Sequence, residues 1–260
     1  MEVIILPGPE EVGRLGADRV AAVVARNPRA VLGLATGSSP TGIYAELARR
    51  VAAGTLDLSG VSGFALDEYV GIPADHPESY SAVIDREVVG PLGLDPARVR
   101  VPDGRAADLA AAAEEYDAAI AAAGGVDLQL LGIGTNGHIG FNEPTSSFAS
   151  RTRIKTLAPR TRTDNARFFA SPAEVPTHCL TQGLGTILEA RELLLVAQGE
   201  GKADAVAAAV EGPLSSMCPA SALQLHRRAS VVVDEAAASR LRLADYYRFT
   251  HEHKPRWQGP

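Results

Sequence analysis

Cysteine is nearly absent from this 260-residue chain, which carries only Cys179 and Cys218. Two thiols are too few for a disulfide scaffold and too far apart for a zinc pattern, and they favour a reducing, cytoplasmic setting. Long apolar runs are missing as well. No stretch approaches the roughly 18 residues a membrane span requires, and the apolar start from Val3 to Leu6 stops at Pro7 with no basic segment before it, unlike a signal peptide. Positive charge is in deficit: 25 Lys and Arg stand against 31 Asp and Glu, a net charge of -6. That balance argues against nucleic acid or an anionic membrane as partner but leaves room for a local basic pocket. Linkers rich in Pro, Gly and Ser are lacking, and so are internal repeats, so one domain is expected. The chain is 46% hydrophobic and 22% charged, inside the globular range and outside that of disordered, collagen-like or coiled-coil chains. A chain of this length buries about three quarters of its unfolded surface, enough for one large core.

Short β-branched and leucine-rich runs alternate with longer segments at helical spacing, the pattern of βα units. Strands are expected at Val3–Leu6, Ala30–Ala35, Gly63–Leu66, Arg98–Val101, Val126–Gly132, Glu192–Ala197 and Ser230–Val233. Helices are expected at Glu10–Arg26, Thr41–Ala53, Ser79–Val89, Ala106–Ala123, Lys202–Val210 and Ala236–Tyr247. Several strand candidates are apolar at every position, which suits central strands covered on both sides. The expectation is a Rossmann-like α/β fold, a mostly parallel sheet with helices on both faces. The segment from Asn142 to Gly185 is instead rich in Ser, Thr, Arg and Pro, the composition of binding loops or a lid.

Ligands of open parallel sheets bind beyond the carboxyl ends of the strands, and three such turns are unusual here. Thr36-Gly37-Ser38-Ser39-Pro40-Thr41 joins a strand to a helix with small and hydroxyl residues, suited to an anion at a helix N-terminus. It is not a Walker loop, since no Gly-Lys-Ser/Thr follows. Asp67 and Glu68 directly follow a buried strand, where partial burial raises a carboxyl pKa and suits it to carbon-bound protons. The third turn places Gly132, Gly134 and Gly137 in G-x-G-x-x-G spacing. A dinucleotide reading fails, because Pro144 interrupts any following helix and no acid lies about 20 residues on. What remains is a flexible loop with His138 and Glu143, flanked by Asn136 and Asn142; imidazole moves protons near neutral pH and a carboxylate sets its tautomer. No second His or Cys at ligand spacing supports a metal. Arg167 and Lys202 would clamp a phosphate if they converge on the Thr36 turn.

Taken together, Leu-Ala-Thr-Gly-Ser-Ser-Pro, Leu-Asp-Glu-Tyr-Val-Gly, Gly-Thr-Asn-Gly-His-Ile-Gly-Phe-Asn-Glu-Pro and Ser-Arg-Thr-Arg-Ile-Lys-Thr-Leu, in this order, resemble the glucosamine-6-phosphate deaminase (isomerase) family. The similarity spans residues 1–247, with a lid-like region at about 158–185; the tail at 248–260 matches no part of the pattern. The resemblance implies conversion of glucosamine 6-phosphate and water to fructose 6-phosphate and ammonia in amino-sugar catabolism, without metal or organic cofactor. It makes His138 the acid/base that opens the sugar ring, supported by Glu143 and Asn136, and Asp67 the group that moves the proton between C2 and C1. Some members have Asp at position 136; the Asn here carries no proton, so its role is hydrogen bonding. Phosphate contacts fall to Thr36, Gly37, Ser38, Ser39, Arg167 and Lys202.

Hexameric members bind N-acetylglucosamine 6-phosphate at a subunit interface through the Ser-Arg-Thr-Arg-Ile-Lys-Thr stretch. The basic residues of that stretch remain here. The resemblance therefore implies a homo-oligomer, a hexamer if the effector site operates, with Ser146, Arg153, Lys155, Thr156 and Tyr246 around an allosteric anion. Two other readings stay open: a 6-phosphogluconolactonase, which needs no base at C2, and a non-catalytic sugar-phosphate sensor.

Overall fold

The computed structural model describes residues 1–73 and 75–255, so the tail beyond 255 lies outside the described residues. The strands are β1 Glu2–Leu6, β2 Val31–Leu34, β3 Ser62–Ala65, β4 Asp67–Tyr69, β5 Val99–Arg100, β6 Leu128–Leu131, β7 Arg153–Thr156, β8 His178–Thr181, β9 Glu192–Ala197 and β10 Ala229–Asp234. The helices are α1 Pro9–Arg26, α2 Thr41–Ala52, α3 Tyr80–Ile84, α4 Gly90–Leu92, α5 Leu109–Ala122, α6 Pro159–Asn165, α7 Leu184–Leu188, α8 Ala203–Val210 and α9 Ala244–Glu252. A π-helical turn, Asp85–Val89, joins α3 to α4.

A seven-stranded sheet runs in the order β1-β10-β9-β6-β2-β3-β5, with parallel pairing throughout. β2 and β6 are buried at every residue. Successive strand residues point to opposite faces, so both faces of the sheet are covered. This is the α/β architecture that the apolar runs predict. Close approach of α1 to α2 depends on glycine: a Cβ on Gly13 would lie 2.8 Å from the carbonyl carbon of Gly42.

From β2 the chain builds outward through β3 to β5, and from β6 it builds the other way through β9 and β10. The sheet's switch point thus falls between β2 and β6, where a crevice opens beyond the carboxyl ends. The turns carrying Lys202, His138, Thr36 and Asp67 follow β9, β6, β2 and β3, four neighbours in the sheet.

Two features differ from the sequence expectation. The polar stretch after Asn142 is not all loop: β7 and β8 pair antiparallel with each other and with β4, making a three-stranded second sheet. Its strands are four residues or fewer, too short for alternation to stand out. The helix expected over Ala236–Tyr247 is instead a turn followed by α9. Asp234 Oδ1 accepts the Ala237 N–H at 2.7 Å and so caps that turn, and its carboxylate also receives the Gly199 N–H at 3.0 Å. α9 packs on β1 and crosses residue 247, the expected end of the domain.

Candidate active site

The crevice is a cavity of about 420 Å³ lined by residues that include Thr36–Ser39, Asp67, His138, Arg167 and Lys202. At one side lies the turn after β2. Gly37 has φ +85°, a left-handed conformation that favours glycine. Thr41 Oγ1 donates to the Ser38 carbonyl at 2.6 Å, and Gln198 Nε2 donates to that of Ser39 at 3.1 Å. Tyr44, buried beneath, donates to the Ala35 carbonyl at 2.9 Å. The turn is therefore braced from α2 and from the end of β9.

Lys202 precedes α8 and donates from Nζ to the Ile133 carbonyl at 2.7 Å, which aims the ammonium at the base of the glycine loop. Burial, then the nearby charge of Arg167, holds its pKa below the usual lysine range. The two cations line the same cavity, although Arg167 comes from the segment after α6. The Arg167 guanidinium lies 4.7 Å over the Phe168 ring.

Asp67 opens β4 and is 6% exposed. Burial foremost, then the charge of Glu68, pushes its carboxyl up to about 8, against a lowering by the Phe141 N–H. Glu68 points elsewhere: its carboxylate accepts the N–H groups of Tyr69, Tyr80 and Ser81 at 2.8–2.9 Å. It thus caps α3, and the two adjacent acids divide into one cavity group and one structural group.

The three glycines of the loop after β6 each meet a different need. Gly132 packs against Ser39, a Cβ on Gly134 would overlap the His138 ring, and Gly137 has φ +83° beside Cys218. No helix follows the loop directly. Asn136 Nδ2 donates to Glu143 Oε2 at 2.7 Å, and the His138 N–H donates to Asn136 Oδ1 at 3.2 Å. Glu143 Oε1 accepts the Ala158 N–H at 2.9 Å. His138 Nδ1 sits 3.7 Å from Glu143 Oε2, beyond a hydrogen bond, so attraction between them is electrostatic. Burial alone would raise the Glu143 pKa, but His138, Thr161 and the Ala158 N–H outweigh it and bring it down to about 2. A carboxylate behind the imidazole sets the orientation of the ring, with Nδ1 toward Glu143.

All the expected phosphate residues, with Asp67 and His138, line this cavity; Asn136 and Glu143 back it through His138. Tyr80, Phe141 and Asn165 also line it and were missed, because isolated aromatic and amide residues carry no spacing signal. The expected effector residues behave differently. Arg153 donates to Asn142 Oδ1 at 2.9 Å and to Ser146 Oγ at 3.2 Å. Lys155 shares its face of β7, whereas Thr156 is on the more exposed face with Ile154. Tyr246 is apart from them, on α9 beside the amino-terminal ends of β1 and β10. Among the described residues no cluster of His, Cys, Asp or Glu could hold a metal, and no helix is long and apolar enough to cross a membrane.

An α/β fold whose switch-point crevice combines a buried carboxyl, an imidazole–carboxylate pair and converging cations defines an enzyme class suited to proton transfer on a small anionic substrate. Comparison with known proteins narrows this. The sequence model of the family described as glucosamine-6-phosphate isomerases/6-phosphogluconolactonase matches residues 10–233. Similar proteins include the glucosamine-6-phosphate deaminases of Pseudarthrobacter chlorophenolicus, 62% identical, and Streptomyces coelicolor, 61% identical, each alignment covering 100% of both chains. A solved monomeric glucosamine-6-phosphate deaminase superposes with TM-score 0.90 at 42% identity, over 92% of this chain and 100% of its own. The 6-phosphogluconolactonase of Trypanosoma cruzi shares the fold, with TM-score 0.72 at 20% identity over 93% and 97% of the two chains. The chain belongs to the glucosamine-6-phosphate deaminase family.

Proposed function

We propose that this chain converts glucosamine 6-phosphate and water to fructose 6-phosphate and ammonia. The observation that carries the reading is Asp67: a buried, protonatable carboxyl in the same cavity as His138 and the cations Arg167 and Lys202. In this mechanism the phosphate is held by the Thr36–Ser39 turn, Lys202 and Arg167. His138, oriented by Glu143 and indirectly by Asn136, takes the C1 hydroxyl proton and returns one to the ring oxygen, opening the pyranose. Asp67 then removes the C2 proton and delivers it to C1. The C2 amine becomes a ketimine as one of its protons is passed to the C1 oxygen, and water hydrolyses the ketimine to the ketone and ammonia. One carboxyl serves as base and then acid, a task suited to a group whose pKa lies near neutrality. The reading includes a role in amino-sugar catabolism and a cytoplasmic setting, supported by two free thiols.

The test is ammonia release by the purified protein given glucosamine 6-phosphate, with glucosamine and N-acetylglucosamine 6-phosphate as controls. Ammonia should appear only with the first, because phosphate binding supplies orientation. A lactonase has no need of a base at C2, so Asp67→Asn should abolish deamination while fructose 6-phosphate still binds. Normal turnover by that variant would overturn the mechanism.

A reading of regulation is favoured by Arg153, whose half-buried guanidinium pairs with no carboxylate among the described residues. We propose that N-acetylglucosamine 6-phosphate activates a homo-oligomer, a hexamer, by binding Ser146, Arg153, Lys155 and Thr156 of one protomer near Tyr246 of another. Sigmoidal kinetics made hyperbolic by the effector would support this. Hyperbolic kinetics that the effector leaves unchanged would exclude it.

A further inference from the structure

On the deaminase reading, the substrate's phosphate is gripped by two parts of the chain far apart in sequence. The Thr36–Ser39 turn stands on the main sheet. Arg167 rides on the segment of α6 and the short 3-10 turn Ala166–Phe168. Both must be in register for a phosphate to meet them together.

A line of side chains joins the two. Asn165 Nδ2 donates to the Tyr69 hydroxyl at 3.0 Å, and the Tyr80 hydroxyl donates to the same oxygen at 3.2 Å. Tyr80 and Thr36 in turn line the same cavity. Tyr69 is 1% exposed. Its ring packs on Tyr80, Phe141 and Phe169 at centroid distances of 4.8, 5.7 and 5.7 Å. It is anchored by β4, whose Tyr69 pairs with Cys179 of β8. Tyr69 does not itself line the cavity, whereas Thr36, Tyr80, Asn165 and Arg167 do. Burial pushes the Tyr69 hydroxyl up to about 12, so it stays neutral over the working pH range.

We infer that the Tyr69 hydroxyl is a latch: it registers the segment carrying Arg167 against the Thr36 turn and so positions the phosphate-binding groups without touching the substrate. The ring alone would fill its space in the aromatic cluster. The hydroxyl supplies an atom to which Asn165 of the Arg167 segment and Tyr80 of α3 both donate, beside a separate contact of that segment, Thr135 to Asp164 at 2.9 Å.

Tyr69→Phe keeps the ring and removes that atom. The segment contains Arg160, Arg162 and Arg167, so trypsin reads its opening directly, and cleavage tracks the population of the open form. We expect a melting temperature close to the parent's, cleavage at these arginines roughly fivefold faster, and KM for glucosamine 6-phosphate raised roughly fivefold with kcat within about twofold, the scale of one hydrogen bond. Asn165→Leu should reproduce these effects, and the double variant should lose no more than either single one. Parent-like cleavage in folded Tyr69→Phe would overturn the latch. Faster cleavage with unchanged KM would overturn its positioning role, and so would additive losses. If Tyr69→Phe fails to fold, Asn165→Leu decides by the same two readouts. A parent protein that releases no ammonia would refute the deaminase reading, and the trypsin comparison would still judge the latch.

Discussion

At the scale of single residues, the site works by giving two carboxyls opposite environments. Asp67 is desolvated and feels the charge of Glu68, so its carboxyl rises to about 8, whereas Glu143 is held by donors and falls to about 2. The first consequence is kinetic. In the proposed mechanism Asp67 is a base only when ionised, so kcat/KM should climb with pH toward a plateau above about 8. A pH–rate profile flat between pH 6 and 9 would contradict that assignment. The second consequence concerns stability. The folded chain keeps the Asp67 proton over a range where the unfolded chain has lost it. Its stabilising contribution is therefore complete below the ordinary carboxylate range and is lost as pH rises through about 8. Asp67→Asn should then be inactive yet more stable than the parent at pH 8.5, by a few kcal/mol, on the order of the linkage limit. Denaturant titration at two pH values checks the sign. His138→Gln should lower kcat by about 10²–10⁴, the usual worth of a general acid–base group, while fructose 6-phosphate binding is retained. Equal loss of both would make His138 structural instead.

At the scale of elements, the site depends on contacts between segments that are distant in the chain. Glu68 on β4 holds the first N–H groups of α3, the helix that presents Tyr80 to the cavity. Glu68→Ala orphans those donors beside a buried strand, at a cost of about 1–3 kcal/mol. A fall in melting temperature together with a raised KM is expected; an unchanged melt would show that water replaces the carboxylate fully. The same elements show how far sequence reading reached. β2, β6 and β9 announce themselves because central parallel strands are mostly apolar. β4, β7 and β8 do not, since Asp67-Glu68-Tyr69, Arg153-Ile154-Lys155-Thr156 and His178-Cys179-Leu180-Thr181 are rich in polar residues and pair with antiparallel partners found only in three dimensions. The misplaced helix after β10 has a similar cause. Alanines from Ala236 to Ala238 favour helix locally, and Asp234 caps a turn there, but the turn does not extend and the helix begins only at Ala244.

At the scale of the whole molecule, a chain of net charge -6 gathers Arg167 and Lys202 at one crevice and leaves Arg153 half-buried at another place. The proposed homo-oligomer makes a direct prediction: sedimentation equilibrium should give a mass several times the 27.2 kDa of one chain. A single 27.2 kDa species would separate Arg153 from Tyr246 and remove the basis of the effector reading. The sequence by itself determined the sheet's central strands, the catalytic candidates and their family, because apolar runs and dense local motifs are properties of neighbouring residues. Tertiary structure alone decided that Asp67 faces the cavity while Glu68 caps a helix, that Asn136 reaches Glu143, and that the Tyr69 hydroxyl receives both Asn165 and Tyr80. Those outcomes depend on burial and on hydrogen bonds across chain separations of up to 96 residues, and no local pattern encodes which partner a side chain will meet.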